Sequence, residues 1–433
     1  MSIQAGSPPV QRRVTPGKRG NVFYGWWVVA SAGLVQAVNS AVYYYGMPVF
    51  LTPLTEEFGW SRAALSGAFS IARLEAGIAA PLAGLSIDRW GPRRMMLIGL
   101  VMMSVGFVLL SQVQTLEMFY FIFLFFLSVG TGFGVGPPLS ACVANWFVRK
   151  RGTAMGLLMT GGGIGAAAAG SLGLLITAFG WRTALVIIGV VVLVTGIPGA
   201  LIIRHRPESI GLRPDGDPTP PPQPVAKAMG AVRQINFQPM DALRTPAFWL
   251  LAVIFGSRHL TTSGAIVHLP AMMVDKGYSL EIAAAIAGLV GLASIPGRLL
   301  GGWLGDKVPK YLVFAGCMAL LAFGLVMLMV GSTPLHLGIF VMAYGAAYGG
   351  AVPLSMAMVA DYFGRRRYAT IYGFCQFAMM WGSIGGPVLA GYAFDTTGSY
   401  LVALQIFTVV AVIGMFVSVV ARPPVVARPV PAR

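Results

Sequence analysis

Four ionisable side chains stand inside long apolar runs of this sequence: Arg73, Glu75, Arg258 and Arg298. A charge at the centre of a bilayer costs roughly 2.5–3.5 kcal/mol or more, so each one marks a path for solute or a polar partner. Three arginines against one glutamate leave positive charge in excess. A guanidinium presents a fork of N–H donors matched to carboxylate, so the excess invites an organic anion. Arg298 lies well inside its run, a little more than two helical turns before Asp306. Arg258 lies about 18 Å into its own run at 1.5 Å per residue. It is expected as a second anion contact or as a partner of backbone carbonyls. His259 would point about 100° away on a helix and reads as a bystander. Arg73 and Glu75 are two apart and do not face each other on a helix. They are expected to bond to neighbouring helices, in a structural network or a proton path. His268, two residues before Pro270, carries an imidazole that titrates near neutral pH. It reads as a pH-sensitive gate or as an ordinary interfacial histidine.

Polar residues at helical spacing accompany these charges. Gln36, Asn39 and Tyr43 form one stripe, Tyr372 and Gln376 a second, Tyr344 and Tyr348 a third. Gly130, Gly132, Gly134, Gly136, Pro137 and Pro138 are expected to bend their run. The Gly161–Gly165 cluster has no following lysine of a phosphate loop. No zinc spacing or catalytic triad is present, so neither cofactor nor metal is expected. Cys142, Cys317 and Cys375 lie in apolar runs and imply no disulfide framework.

The elements that must position these residues follow from composition. The chain has 433 residues, 56% of them hydrophobic and only 10% charged. Soluble domains carry about 25% charged residues. A soluble enzyme, a nucleic-acid binder and a disordered protein are therefore excluded. A spanning helix needs about 20 apolar residues, and twelve runs qualify. They cover roughly 24–49, 62–86, 94–113, 118–144, 153–178, 183–204, 246–271, 279–304, 310–331, 335–360, 369–394 and 400–421. The first is too long and too polar for a cleaved signal sequence. The organisation is an N-terminal tail (1–22), a six-helix bundle (23–204), a linker (205–243), a second six-helix bundle (244–421) and a C-terminal tail (422–433). The linker holds Pro218, Pro220, Pro221, Pro222 and Pro224 and reads as extended, with a short surface helix over Phe237–Arg244.

Of 30 lysines and arginines, only Arg62, Arg182 and Lys276 fall in loops on one side, while most of the others fall on the other side. The positive-inside rule makes both tails and the linker cytoplasmic. The net charge of +16 is thus a topological signal and does not imply nucleic acid.

The halves repeat. Gly84-Leu-Ser-Ile-Asp88-Arg89-Trp-Gly91-Pro-Arg93-Arg94 follows the second run, and Gly302-Trp-Leu-Gly-Asp306-Lys307-Val-Pro-Lys310 follows the eighth. Asn145-Trp146-Phe147 with Arg149, Lys150 and Arg151 follows the fourth, and Asp361-Tyr362-Phe363 with Arg365, Arg366 and Arg367 the tenth. Two parallel six-helix repeats are the architecture of major facilitator transporters, and the first element resembles that superfamily's signature loop. The resemblance implies an all-α membrane protein with a central cavity open alternately to each side. It also implies that Gly84, Asp88, Arg89, Arg93, Gly302 and Asp306 form a conformational latch for the outward-open state.

A finer likeness exists. Tyr24-Gly25-Trp26-Trp27 and Trp146-Phe147-Val-Arg149-Lys150-Arg151-Gly-Thr-Ala-Met-Gly156, followed by Thr160-Gly161-Gly162-Gly163-Ile-Gly165, resemble the monocarboxylate transporters. Leu243-Arg244-Thr245-Pro246-Ala-Phe248-Trp249 is similar to the oxalate/formate antiporter branch. Both families place a substrate-binding arginine where Arg298 stands. Their cavity-facing spans one, four, seven and ten favour Asn39, Tyr43 and Tyr344 as lining, with Arg258 and Gln376 as further substrate contacts. The monocarboxylate transporters carry an aspartate four residues before that arginine; here the position is Ser294. Glu75 is therefore nominated for proton coupling, with Arg73 and His268. The antiporter branch carries a span-eleven lysine where Met379 stands, so a monoanion is expected over a dicarboxylate, with Met379 against its tail. The expected function is transport of a small monocarboxylate, lactate- or pyruvate-like, coupled to protons in the inner (plasma) membrane by a monomer. Exchange of organic anions, a non-transporting receptor and drug efflux are the alternatives.

Overall fold

A computed structural model describes residues 22–217, 236–331 and 333–424. The proline-rich part of the expected linker and most of both expected tails lie outside the described residues. The described chain is helical, and no strand occurs within it. The spans are α1 (Tyr24–Asn39), α2 (Arg62–Trp90), α3 (Pro92–Leu110), α4 (Leu116–Trp146), α5 (Arg151–Ala168) and α6 (Ser171–Ile202) in the first half. The second half has α7 (Pro246–Asp275), α8 (Leu280–Lys307), α9 (Lys310–Val330), α10 (Pro334–Phe363), α11 (Tyr368–Thr397) and α12 (Leu401–Val420). Among the described residues, nine helices are long and apolar enough to cross a membrane on that ground alone. The three outside that set are α1, which is only 16 residues long, α5 and α11.

Local chemistry sets the boundaries. Ser61, Thr115, Thr245 and Thr333 each accept a hydrogen bond from a backbone N–H three residues on, capping α2, α4, α7 and α10. The expected surface helix after the linker is present as Pro239–Leu243. Gly180 breaks the long α6 helix at φ 76° and ψ 156°, a conformation open to glycine, so residues before it continue α5 and those after it form span six. Span four bends as expected: its axis breaks at Val135, just before Pro137 and Pro138.

Two departures from regular helix leave no mark in the apolar pattern. Span one runs from α1 into a π-helical turn over Ser40–Tyr44, and span four contains another over Ile122–Ser128. Such turns insert an extra residue per turn and rotate the side chains beyond them, and they recur at functional sites.

The repeat is visible in the packing. α1 lies on α5 and α6, and α3 lies on α4 and α6; α7 lies on α11 and α12, and α9 lies on α10 and α12. The halves meet through two equivalent pairs, α2 with α11 and α5 with α8. Gly161 and Gly165 of α5 abut the carbonyls of Gly33 and Ala37 on α1, where a Cβ would collide. Gly382 and Gly386 of α11 abut those of Gly256 and Leu260 on α7 in the same way. Within lipid no hydrophobic gain separates helix from tail, so small residues that allow close backbone approach drive this association. The Gly161–Gly165 cluster is thus a packing element.

At the loop end of the bundles an ionic network crosses between halves. Arg151, only 2% exposed, pairs with Asp361, which also meets Lys310 at 2.8 Å. Arg151 further donates to the carbonyls of Phe147 and Ala144. In the other repeat, Asn145 replaces the aspartate, and Arg365 donates to its carbonyl at 2.9 Å. Arg151 is buried while 29% of the Asp361 side chain is exposed, so removing the carboxylate leaves a buried cation uncompensated at a cost of up to about 3–5 kcal/mol, whereas an exposed pair contributes about 0–1 kcal/mol. Asp361→Ala is therefore expected to lower the Tm in detergent far more than Asp217→Ala, which removes the exposed partner of Arg149. Equal shifts in thermal unfolding would contradict this account.

Candidate functional site

Arg298 is carried by α8 and reaches across to the other bundle. Its Nη1 donates to the carbonyl of Met159 on α5 at 2.7 Å. Its Nε is buried without a partner. Gly162 of α5 makes room for the guanidinium: a Cβ there would stand 3.3 Å from Nη1, 3.5 Å from Ser40 Oγ and 3.8 Å from Gln36 Nε2. Arg298, Gln36 and Ser40 therefore converge on one point between the bundles, and Gln36 Nε2 also donates to Ser40 Oγ at 3.2 Å. Tyr45, just beyond the π-helical turn, is in electrostatic reach of both Arg298 and Tyr348.

Arg258 is buried to 4% exposure in α7. Its Nε and Nη1 have no partner. Around it stand Tyr344 and Tyr348 of α10, Tyr372 of α11 and Cys317 of α9, with no carboxylate among these neighbours. Its Nη2 meets His259 Nε2 at 2.5 Å, and His259 Nδ1 meets Ser383 Oγ of α11 at 3.0 Å. The reading of His259 as a bystander is therefore corrected. Lacking a carboxylate, the guanidinium takes the nearest acceptor, an imidazole nitrogen. That assigns the proton to Nδ1, which donates to Ser383. Tyr344 donates to the carbonyl of Thr262 at 3.2 Å and is fully buried. Gln376 lies against the Tyr372 hydroxyl, one turn away as expected.

A third cluster belongs to the first half. Glu75 accepts a hydrogen bond from Ser128, the last residue of the π-helical turn in α4. Tyr43, in the other π-helical turn, stacks on Phe123 with centroids 5.7 Å apart and is in electrostatic reach of Glu75 and Arg73. The two irregular turns therefore deliver Tyr43 and Ser128 to the carboxyl. Arg73 and Glu75 form no ion pair, in keeping with their spacing. Tyr44 connects the clusters: it is in electrostatic reach of Arg73 and of Tyr372 from the opposite bundle.

Other expected site residues stand apart. His268 bonds to the Tyr400 hydroxyl at 3.2 Å and the Pro387 carbonyl at 3.1 Å, both in the second half. Asn39 is corrected as a cavity residue. It is turned into the first bundle, 2% exposed, among Val35, Val38, Leu100, Met103, Val192 and Thr195. The Thr131 hydroxyl at 3.4 Å holds its amide there. Met379 is 6% exposed within the apolar core.

The loop aspartates act across the bundles. Asp88 accepts from the N–H groups of Ala369 at 3.3 Å and Thr370 at 2.9 Å, and from the Thr370 hydroxyl at 2.6 Å. Asp306 accepts from the N–H groups of Gly152 at 2.6 Å and Thr153 at 2.8 Å. Each half thus supplies a carboxylate to the N-terminus of a helix in the other, where exposed N–H groups and the helix dipole favour negative charge. Gly84 and Gly302 let the backbones approach, because a Cβ on either would strike a carbonyl of the partner helix. Arg89 and Arg93 form no ion pair among the described residues; Asp88 bonds to backbone N–H groups and the Thr370 hydroxyl, and Asp306 to backbone N–H groups with Lys310 at 3.9 Å.

Two six-helix repeats, clamped by reciprocal caps and holding an incompletely paired guanidinium at their junction, have the build of a membrane transporter. The chain belongs to the Major Facilitator Superfamily, whose sequence profile matches residues 32–342 and 292–433. It is a multi-pass membrane transporter and not an enzyme. "Monocarboxylate transporter 11" of Homo sapiens is 27% identical over 435 residues, spanning 95% of this chain and 86% of the relative. "Monocarboxylate transporter 12-B" of Danio rerio is 29% identical over 401 residues, 87% of this chain and 82% of the relative. Among solved structures, the human organic anion transporter MFSD10 (TETRAN) superposes with a TM-score of 0.72 at 15% identity, covering 91% of this chain and 99% of that one. FucP in the outward conformation gives 0.69 at 15% identity, covering 91% and 98%. These structures share the fold.

Sequence reasoning missed Ser40, Tyr44, Tyr45, Ser128 and Ser383. The run Tyr43-Tyr44-Tyr45 was the available signal, three phenols where one helical stripe was expected. Asp88→Asn keeps a capping oxygen but loses the charge, worth about 0.3–1 kcal/mol at a helix N-terminus. Turnover is expected to fall severalfold while equilibrium substrate affinity changes little. A large loss of affinity at unchanged turnover would contradict the capping role.

Proposed function

We propose that the protein transports small monocarboxylates, lactate- or pyruvate-like, by alternating access, with proton coupling. One observation carries this reading: Arg298 spends a single donor on a backbone carbonyl at the junction of the bundles, and its Nε is buried unpaired. A carboxylate arriving there meets a bidentate fork beside Gln36 and Ser40. Neutralising the charge lowers the cost of closing low-dielectric walls around it. The bundles then rock about the site, and the Asp88 and Asp306 caps release and re-form. Names of relatives support the substrate class. Positive-inside asymmetry supports cytoplasmic tails in a cell inner membrane, and on that orientation the capped face is the cytoplasmic one.

Glu75 is the proposed proton carrier. Its hydrogen bond from Ser128 and its nearness to Tyr43 give a proton two neighbours for transfer. It replaces the acid that the family pattern puts at Ser294, which here bonds to the carbonyl of Gly291.

A second reading has its own support. Arg258 keeps two unpaired nitrogens among phenols, and a second cation would suit a dicarboxylate and anion exchange.

Proteoliposome uptake tests these readings. Arg298→Ala is expected to abolish uptake of labelled lactate while the protein stays folded, and Arg298→Lys to be nearly as poor, because a point charge lacks the fork. Near-normal uptake by either variant would remove Arg298 from the mechanism. An imposed pH gradient should drive accumulation in wild type and not in Glu75→Gln. Dependence on preloaded anion, with oxalate competing as well as lactate, would favour the exchange reading.

A further inference from the structure

The arginines of the signature loop share a second setting. Arg89, Trp90, Gly91, Arg93 and Arg94 line a cavity of about 420 Å³ with Arg204, His205 and Ser209, on the capped face of the first bundle. Four arginines line it, Arg89, Arg94 and Arg204 of them exposed. No carboxylate lines the cavity, and none of the four arginines forms an ion pair among the described residues. Like charges clustered on one surface make a positive potential that attracts an anion.

The walls are held in place by the fold. Trp146 Nε1 donates to the carbonyl of Arg204 at 2.8 Å, and Asn145 Nδ2 donates to that of His205 at 3.2 Å. The segment after span six is thereby pinned to α4. α3 begins at the cavity with Pro92, and no side chain caps its first turn. Its free N–H groups and positive dipole end therefore face the same space. Burial and the adjacent Arg206 hold His205 below the usual histidine range, and its Nδ1 is buried with no partner in the protein. Trp90, 52% exposed, stands at the rim, as tryptophans do where a protein meets lipid headgroups.

We propose that this cavity binds a phosphate group, supplied either by an anionic phospholipid headgroup at the membrane surface or by a soluble phosphate. Several forks with a helix N-terminus match the oxygens of phosphate, and basic pockets on the cytoplasmic side of spanning helices suit anionic headgroups. The site is separate from the proposed carboxylate site and does not depend on it. It adjoins Asp88, so an occupied cavity would bear on the capped closure.

The test titrates the full-length purified protein in detergent with short-chain phosphatidylglycerol, with short-chain phosphatidylcholine and with inorganic phosphate. Thermal stability and the lipid retained in native mass spectrometry are the readouts. Phosphatidylglycerol is expected to raise the Tm saturably, with phosphatidylcholine inert because its choline meets the same cations. Arg94→Gln/Arg204→Gln should raise the apparent Kd at least tenfold. Ser209→Ala, a milder change on an exposed turn, should raise it twofold to threefold, while Arg244→Gln outside the cavity should leave it unchanged. Protection by inorganic phosphate alone, lost in the double variant, supports the site and assigns its source to solute. Equal protection by phosphatidylcholine, or equal binding by Arg94→Gln/Arg204→Gln and Ser209→Ala, would overturn the proposal.

Discussion

A carboxylate at the end of one bundle, bonded to the first N–H groups of a helix in the other, is the interaction on which the rest of this structure depends. It occurs twice, Asp88 on α11 and Asp306 on α5. Free N–H groups at a helix start must find acceptors. Here the acceptor belongs to the opposite half, so satisfying each helix end also draws the halves together. The glycines at Gly84 and Gly302 set the approach distance, and the Arg151–Asp361–Lys310 network reinforces one of the two junctions. These bonds are few, charged and at the rim, where water could replace them. A closure built from buried apolar surface would be far harder to undo.

One incompletely paired cation crosses this junction and another lies within the second bundle. Arg298 reaches from α8 to α5, and Arg258 is buried beside α10 and α11 among tyrosines. Buried guanidinium without a carboxylate is a costly arrangement, tolerated where a ligand supplies the missing charge. Helices α1 and α5 adjoin Arg298, and α11 adjoins Arg258. Their glycines let neighbouring backbones approach closely. The basic cavity near α3 obeys a related logic at the membrane surface, where several cations share a space that holds no acid.

Much of this architecture was legible in the residues. Twelve apolar runs, the repeated loop motifs and the clustering of lysine and arginine on one side come from local composition, because a bilayer demands internally bonded helices of fixed length. Arg298, Arg258 and Glu75 stood out because charge inside such a run is expensive. The spacing of Arg73 and Glu75 ruled out a direct pair, and none forms. The cross-bundle role of the loop aspartates came from family likeness, and its atoms came from the structure.

What the tertiary structure alone decided is which side chains meet. Helical periodicity assumes a regular helix, and the π-helical turns over Ser40–Tyr44 and Ile122–Ser128 break that assumption, bringing Tyr43 and Ser128 to Glu75. His259 escapes a reading by spacing because a flexible guanidinium can fold back to a sequence neighbour when no acid is near. Arg89 and Arg93 sit in a latch motif whose carboxylates prefer backbone N–H groups, and the cavity they share with Arg204 and His205 joins segments more than a hundred residues apart. Sequence determined the number and repetition of the helical spans, since those depend on one chain segment and its solvent. Partners across bundles depend on how backbones approach and rotate, and only packing in three dimensions sets that.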